Sequence, residues 1–340
     1  MTGLHPHAAD ASRRRAMRAL ACVPMLSGPA WALAGADPGA GGPRGAAAWL
    51  ERLQNASRVH NYIGTFVVSS NAGALSSARI WHACDSQESI DKLEALTGAP
   101  RSIFRRSGEQ LTLLPGQRLA RLERREMSGI FPQLLKSADH RIADFYDARV
   151  IGRDRVAGHE ADVVVLMPRD DQRFGYRLWS ERTTGLMIKL QTLGPTGEVL
   201  EQAAFSELQI DVPLRPAQLA REMVAPEGWR VERIEAVRSP QDQQPWVIRT
   251  GVPGFRLLDC YRRRNAAGHE QSHCVYSDGL ASVSVFVEPL QAQRQAGDLV
   301  LSAGASQTLT RRADAGWVTV VGEVPGATLK AFAQGLERRR

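Results

Sequence analysis

Few side chains in this sequence stand at spacings that could do chemistry. Asp170 and Asp171 form an adjacent carboxylate pair of the kind that can divide acid and base work. They lie, however, in a polar run after Pro168, flanked by Arg169 and Arg173, which is the setting of solvated turn charges. His60, His82, His140 and His159 are scattered and lack partners close in sequence. Cys260, His269, His273 and Cys274 are zinc ligands by type, but no C-x-x-C or H-x-x-x-H unit spaces them for a tetrahedral site, so no metal is expected. There is no G-x-S-x-G elbow, no H-E-x-x-H, no Walker loop and no G-x-G-x-x-G after a strand. The expectation is a protein that is not an enzyme and carries no cofactor.

Binding chemistry is what remains. Arg262, Arg263 and Arg264 follow one another, and Arg101, Arg105 and Arg106 stand near Arg121, Arg124 and Arg125 in sequence. Guanidinium clusters of this kind can hold phosphate groups or the carboxylates of a partner; the alternative is a solvated face. The 340 residues carry 43 Lys+Arg against 36 Asp+Glu, a formal charge of +7. Part of that excess belongs to the N-terminus, where Ser12-Arg13-Arg14-Arg15 precedes an apolar, small-residue run from Ala16 to Ala34 ending in Ala32-Leu33-Ala34. This is the pattern of an export signal cleaved after Ala34. Ala16 stands where a twin-arginine signal has a large apolar residue, so the general secretory route fits better. Losing Arg13, Arg14, Arg15, Arg18 and Asp10 removes four basic and one acidic residue and leaves a mature charge of about +4, too mild to argue for nucleic acid. No other apolar stretch approaches the roughly 20 residues that a membrane span requires.

Export places the remaining cysteines, Cys84, Cys260 and Cys274, in an oxidising compartment. Cys260 and Cys274 flank two arms of a hairpin turning at Asn265 to Gly268, which puts them opposite each other and favours a disulfide; buried free thiols are the alternative. Cys84 is left without a partner.

The elements that must position these groups are mostly strands. From Ala161 to Ser206 the chain reads as consecutive strands with tight turns: Val163 to Met167 ending at Pro168, then Phe174, Tyr176 and Leu178 in alternation, then Leu186, Ile188 and Leu190 on one face. Gly194-Pro195-Thr196-Gly197 turns the chain into Val199 to Phe205. Upstream, Trp49, Leu50, Leu53 and Ala56 at helical spacing predict a helix over Ala46 to Val59, before a strand at Tyr62 to Val68. Further strands are expected at 78–84, 102–106, 110–114, 117–123 and 149–156. Ile90 to Leu96 fits a strand or a helical turn, and Ile130 to Tyr146 fits one or two helices. Trp81, Phe104, Trp179 and Phe205 read as core residues unless the sheet encloses a cavity.

Pro213 and Pro216 mark a linker over 212–228 between a first domain at 48–211 and a second at 229–335, with 35–47 a disordered leader and 336–340 a basic tail. In the second domain, strands are expected at 230–237, 246–250, 255–261, 272–277, 281–287, 308–312 and 317–321. Asp278-Gly279 is a hairpin signal. A helix over Ala327 to Gly335 turns Leu329, Phe332 and Ala333 inward.

Several of these segments resemble one family. Gly175-Tyr176-Arg177-Leu178-Trp179, Thr184-Gly185-Leu186 and Gly197-Glu198-Val199-Leu200-Glu201-Gln202 are similar to the periplasmic sigma-E regulatory proteins of the RseB/MucB family. So are Tyr62 to Val67, Tyr276 to Phe286 and Val320 to Pro325, and the likeness spans nearly the whole mature chain. The resemblance implies an α+β, mostly antiparallel fold: a LolA-like curved half-barrel sheet with helices in its concave face, followed by a smaller antiparallel β domain with a C-terminal helix. It implies periplasmic location and, as partner, the periplasmic part of a membrane-bound anti-sigma factor, shielded from proteolysis and released when an acyl chain or lipopolysaccharide binds. On this reading Arg262, Arg263, Arg264, Ser282 and Ser284 are candidates for the partner, and Phe131, Leu134, Leu135, Ile142, Phe145, Trp179 and Phe205 for the acyl chain. A periplasmic lipid carrier of the LolA type is the alternative. Homo-oligomerisation stays open.

Overall fold

The computed structural model describes residues 45–124, 142–234, 237–240, 243–249, 251–264, 270–289, 298–313 and 316–339. The export signal, Phe131, Leu134, Leu135, the turn at 265–269 and most of the expected 130–146 helical segment lie outside them.

The first domain opens with α1 (Gly45–Val59), whose Trp49, Leu50, Leu53 and Ala56 are buried, as their spacing predicts. Then follow β1 (Tyr62–Ser70), β2 (Leu75–Cys84), β3 (Ser89–Ala95), β4 (Ser102–Arg106), β5 (Glu109–Leu114) and β6 (Leu119–Arg124). The ambiguous 90–96 segment is thus a strand. A short helix, α2 (Ile142–Phe145), leads into β7 (Tyr146–Val156), β8 (His159–Pro168), β9 (Gly175–Glu181), β10 (Met187–Leu193) and β11 (Val199–Ile210). These strands pair antiparallel with one another, and the β1–β11 pairing joins β1–β6 to β7–β11 in one open order.

Over β2 to β4 the sheet is covered on both faces. Against α1 lie Phe66, Ile80, Leu178, Ile188 and Phe205. The opposite face, through Ala83 and Ile90, receives Leu219 of α3 (Pro216–Glu222), and Phe104, Leu111 and Ala120 pack against Ala225 and Trp229.

Two boundaries differ from expectation. The 212–228 stretch is not a free connector, since α3 covers the sheet. The strand after it, β12 (Arg230–Ile234), does not open the second domain: it pairs in parallel with β6 and completes a 12-stranded sheet. Local alternation specifies a strand but not the sheet it joins.

The second domain is a seven-stranded antiparallel sheet in the order β13-β15-β16-β17-β20-β19-β18. Its strands are β13 (Val237–Arg238), β15 (Arg256–Arg264), β16 (Glu270–Ser277), β17 (Ser282–Pro289), β18 (Leu299–Ala303), β19 (Ser306–Ala313) and β20 (Gly316–Gly322). The helix α4 (Gly326–Gln334) buries Leu329, Phe332 and Ala333 against Val283, Val285, Val318 and Val320. The expected basic tail instead contributes β21 (Leu336–Arg338), paired with β14 (Trp246–Ile248). Cys260 and Cys274 face each other across β15 and β16 and are disulfide-bonded. Cys84 is free and buried.

Gly64 is required by a close approach: a Cβ there would lie 2.7 Å from both the Phe205 ring and the Glu207 carbonyl oxygen. Gly64→Ala is therefore expected to cost about 1–3 kcal/mol through overpacking, read as a lower thermal midpoint of unfolding. The disulfide spans 14 residues, for which chain-entropy arguments give about 3 kcal/mol. Reduction should lower the urea midpoint of the protein accordingly, and an unchanged midpoint would contradict this assignment.

Candidate functional site

The expected acyl-chain residues that are described converge in the first-domain core. Ile142, Trp179 and Phe205 are buried there, and Phe145 packs against its margin. Trp179 is anchored by donating from Nε1 to Asp154 at 2.8 Å, with Lys189 over its ring at 4.3 Å. The cluster is contiguous and apolar.

The expected partner-binding residues are divided. Ser282 and Ser284 alternate with Val283 and Val285 on β17, and the valines are the ones that face α4. Arg262 pairs with Ser272, which pairs with Val287, placing Arg262 on the valine side. Arg262 and the two serines therefore occupy opposite faces of one sheet. Arg262 lies 3.8 Å from Glu270, while Arg263 and Arg264 hold register positions opposite Gln271 and Glu270.

Arg125 lies outside the described residues, and among the described ones Arg105, Arg106 and Arg121 do not form one patch either. Arg105 is buried beside Gln110, Arg106 pairs with Glu88 at 2.6 Å, and Arg121 pairs with Glu232 at 3.3 Å. Successive residues on a strand point to opposite faces, so a basic run in sequence is split in space.

A dense polar arrangement lies between the two sheets. Arg173, set aside above as a solvated turn charge, is buried, and its side chain meets Asp278 with neither exposed. Its Nη1 donates to Asp278 Oδ2 at 3.0 Å, Nη2 to the Pro253 carbonyl at 2.6 Å and Nε to Asp170 Oδ1 at 2.9 Å. The guanidinium carbon sits 4.4 Å from the Phe145 ring centroid and 5.3 Å from that of Phe255. Asp278 is equally committed: Oδ1 accepts from the N–H groups of Leu280 and Ala281, and Oδ2 also accepts from the Tyr146 hydroxyl. Burial pushes the Asp278 carboxyl upward from its ordinary pKa, against the backbone N–H groups and Arg173, which pull it down. The partners are 105 residues apart, and neither is exceptional in its local sequence.

A second buried cluster sits on β1 to β3. His82 Nδ1 is 2.6 Å from Asp91 Oδ1, its ring stacks on Tyr62 at 4.7 Å, and Cys84 donates from both N and Sγ to Asn61 Oδ1. Burial pulls the imidazole toward neutrality, but hydrogen bonds to Asp91 and Cys84 and the Asp91 charge outweigh it, raising the pKa to about 9. Among the described residues no cluster of His, Cys, Asp and Glu could hold a metal, and no helix is long and apolar enough to cross a membrane.

The His82 pair makes stability depend on pH. Because the folded pKa exceeds the unfolded value of 6.5, its contribution is complete below pH 6.5 and lost as pH rises through about 9. Urea titrations should show up to about 3 kcal/mol less stability above pH 9 than at pH 6, with the decline absent in Asp91→Asn.

Comparison with known proteins agrees with this architecture. Residues 45–223 match the MucB/RseB N-terminal domain and residues 240–337 the MucB/RseB C-terminal domain. The chain is 33% identical over 297 residues to the sigma factor AlgU regulatory protein MucB of Pseudomonas aeruginosa, covering 84% of this chain and 88% of that protein. It is 29% identical over 311 residues to the sigma-E factor regulatory protein RseB of Salmonella typhimurium, covering 90% and 93%. The crystal structure of MucB in complex with MucA(peri) is similar at a TM-score of 0.66 and 30% identity, over 86% of this chain and 98% of that one.

Proposed function

Because this chain belongs to the MucB/RseB family, we propose that it is a periplasmic negative regulator of a sigma-E-type envelope stress response. It binds the periplasmic part of a transmembrane anti-sigma factor, shields it from the first proteolytic cut, and releases it when a lipid or lipopolysaccharide binds. The observation that carries this reading is the similarity over nearly its whole length to a MucB seen with MucA(peri).

The geometry supports a division of labour. The first domain offers an apolar core in which Ile142, Trp179 and Phe205 meet, suited to an acyl chain. The second offers an arginine-bearing hairpin and the outward serines of β17, suited to an extended acidic or polar segment. Arg262 lies on the opposite face from Ser282 and Ser284, so a single straight segment does not reach both; the partner engages one face, or wraps the sheet edge.

Calorimetry of the mature protein with the periplasmic segment of an anti-sigma factor from the same genome, with and without lipopolysaccharide or a long-chain fatty acid, tests the reading. Binding should be weakened by the lipid, and the segment should weaken lipid binding by the same factor. Replacing Arg262, Arg263 and Arg264 together by Ser should lower affinity for the segment; unchanged affinity would remove the hairpin from the interface. Stoichiometric lipid uptake with no binding of the segment would instead identify a carrier.

A further inference from the structure

The turn between β8 and β9 holds the second domain by three consecutive residues, each gripping a different segment. The Gln172 carbonyl accepts from Thr328 Oγ1 at 2.7 Å, at the start of α4. Arg173 holds Asp278 in the β16–β17 turn and the Pro253 carbonyl in the turn before β15. Phe174 packs with Leu200 against Ala305 of the β18–β19 turn, where the Ala305 N–H also donates to the Glu201 carboxylate.

The same turn is tied to the apolar core. The Arg169 N–H donates to the Phe145 carbonyl at 2.9 Å, and the Phe145 ring stacks on the Arg173 guanidinium. Phe145 ends the short helix whose first residue, Ile142, is fully buried in that core. From the other side, Gly254 fits so closely under Phe145 that a Cβ there would meet the ring at 2.7 Å. Leu280, two residues beyond Asp278, packs against the first-domain core itself.

Occupation of the core, movement of Phe145 and the hold on the second domain are therefore mechanically linked. A desolvated ion pair suits a switch, because it is stable only when every partner is in place and yields abruptly when one is displaced. We propose that Gln172–Arg173–Phe174 is the seat through which an apolar ligand in the first-domain core releases the second domain, by shifting Phe145 and Leu280 and opening the Arg173–Asp278 latch. The inference rests on the regulatory reading above for the ligand and the partner; the latch itself rests on geometry alone.

The full mature chain supplies two separable tests. Thermal unfolding of the wild type should show one cooperative transition, split into two in Asp278→Asn and in Arg173→Met. A wild type that already shows two transitions, or a variant that keeps one, would overturn the latch. Second, affinity for the anti-sigma segment is measured with and without myristate. Asp278→Asn should bind the segment, without fatty acid, as weakly as the wild type does with it, and myristate should have no further effect, a ratio near one. Thr328→Val, which removes one grip without stranding a charge, should give an intermediate ratio and covers the case in which the charge variants fail to fold. Split transitions with an unaltered myristate ratio would overturn coupling through this seat. A wild type indifferent to myristate would sink the lipid-regulated reading and this coupling with it, while leaving the latch to be decided by the unfolding data.

Discussion

A guanidinium and a carboxylate removed from water between two sheets set the terms for everything around them. Each ion loses hydration worth several kcal/mol, and the pair is tolerable only if its remaining hydrogen-bonding capacity is met by fixed groups. Arg173 and Asp278 meet that condition with the Pro253 carbonyl, Asp170, the Tyr146 hydroxyl and two backbone N–H groups. The requirement fixes the conformation of the β16–β17 turn, the path of the chain before β15 and the end of β8. An apolar contact of similar area would tolerate sliding; this one defines a single relative placement.

The first sheet meets a different constraint, since over β2 to β4 both of its faces are covered. One face receives α1 and the other α3, so polar residues inside it must be paired: His82 with Asp91, and Gln110 with Glu123. Its exposed ion pairs, such as Arg169 with Asp147, lie at half-exposed positions where the net contribution to stability is small. The sheet is thus held by two apolar layers and a few enclosed polar bonds, and its charged rim answers for solvation.

What could be read from the sequence follows from how locally each feature is encoded. The spacing of Trp49, Leu50, Leu53 and Ala56 located α1, and Leu329, Phe332 and Ala333 gave the inward face of α4, because a helix repeats its own environment every turn. The Cys260–Cys274 bond was legible because the hairpin is nearly symmetric about its turn. By contrast, β18 carries Leu299, Val300 and Leu301 all exposed, with no inward and outward alternation to mark it. The membership of β12 in the first sheet depends on β6, far upstream. Arg173 looked solvated because a charge beside Asp170 and Asp171 in a turn usually is, and nothing within ten residues of it announces Asp278.

The parallel strand β12 has a consequence for how the chain is assembled. β6 is complete at Arg124, but the strand that covers its outer edge ends only at Ile234. In a chain delivered N-terminus first, that row of backbone donors and acceptors waits, open to wrong partners, until more than a hundred further residues have emerged. The segment that finally seals it is also the one that leads into the second domain, so the two halves cannot be separated cleanly at the prolines. A fragment cut there would carry a raw sheet edge, and its tendency to self-associate would be a property of the cut.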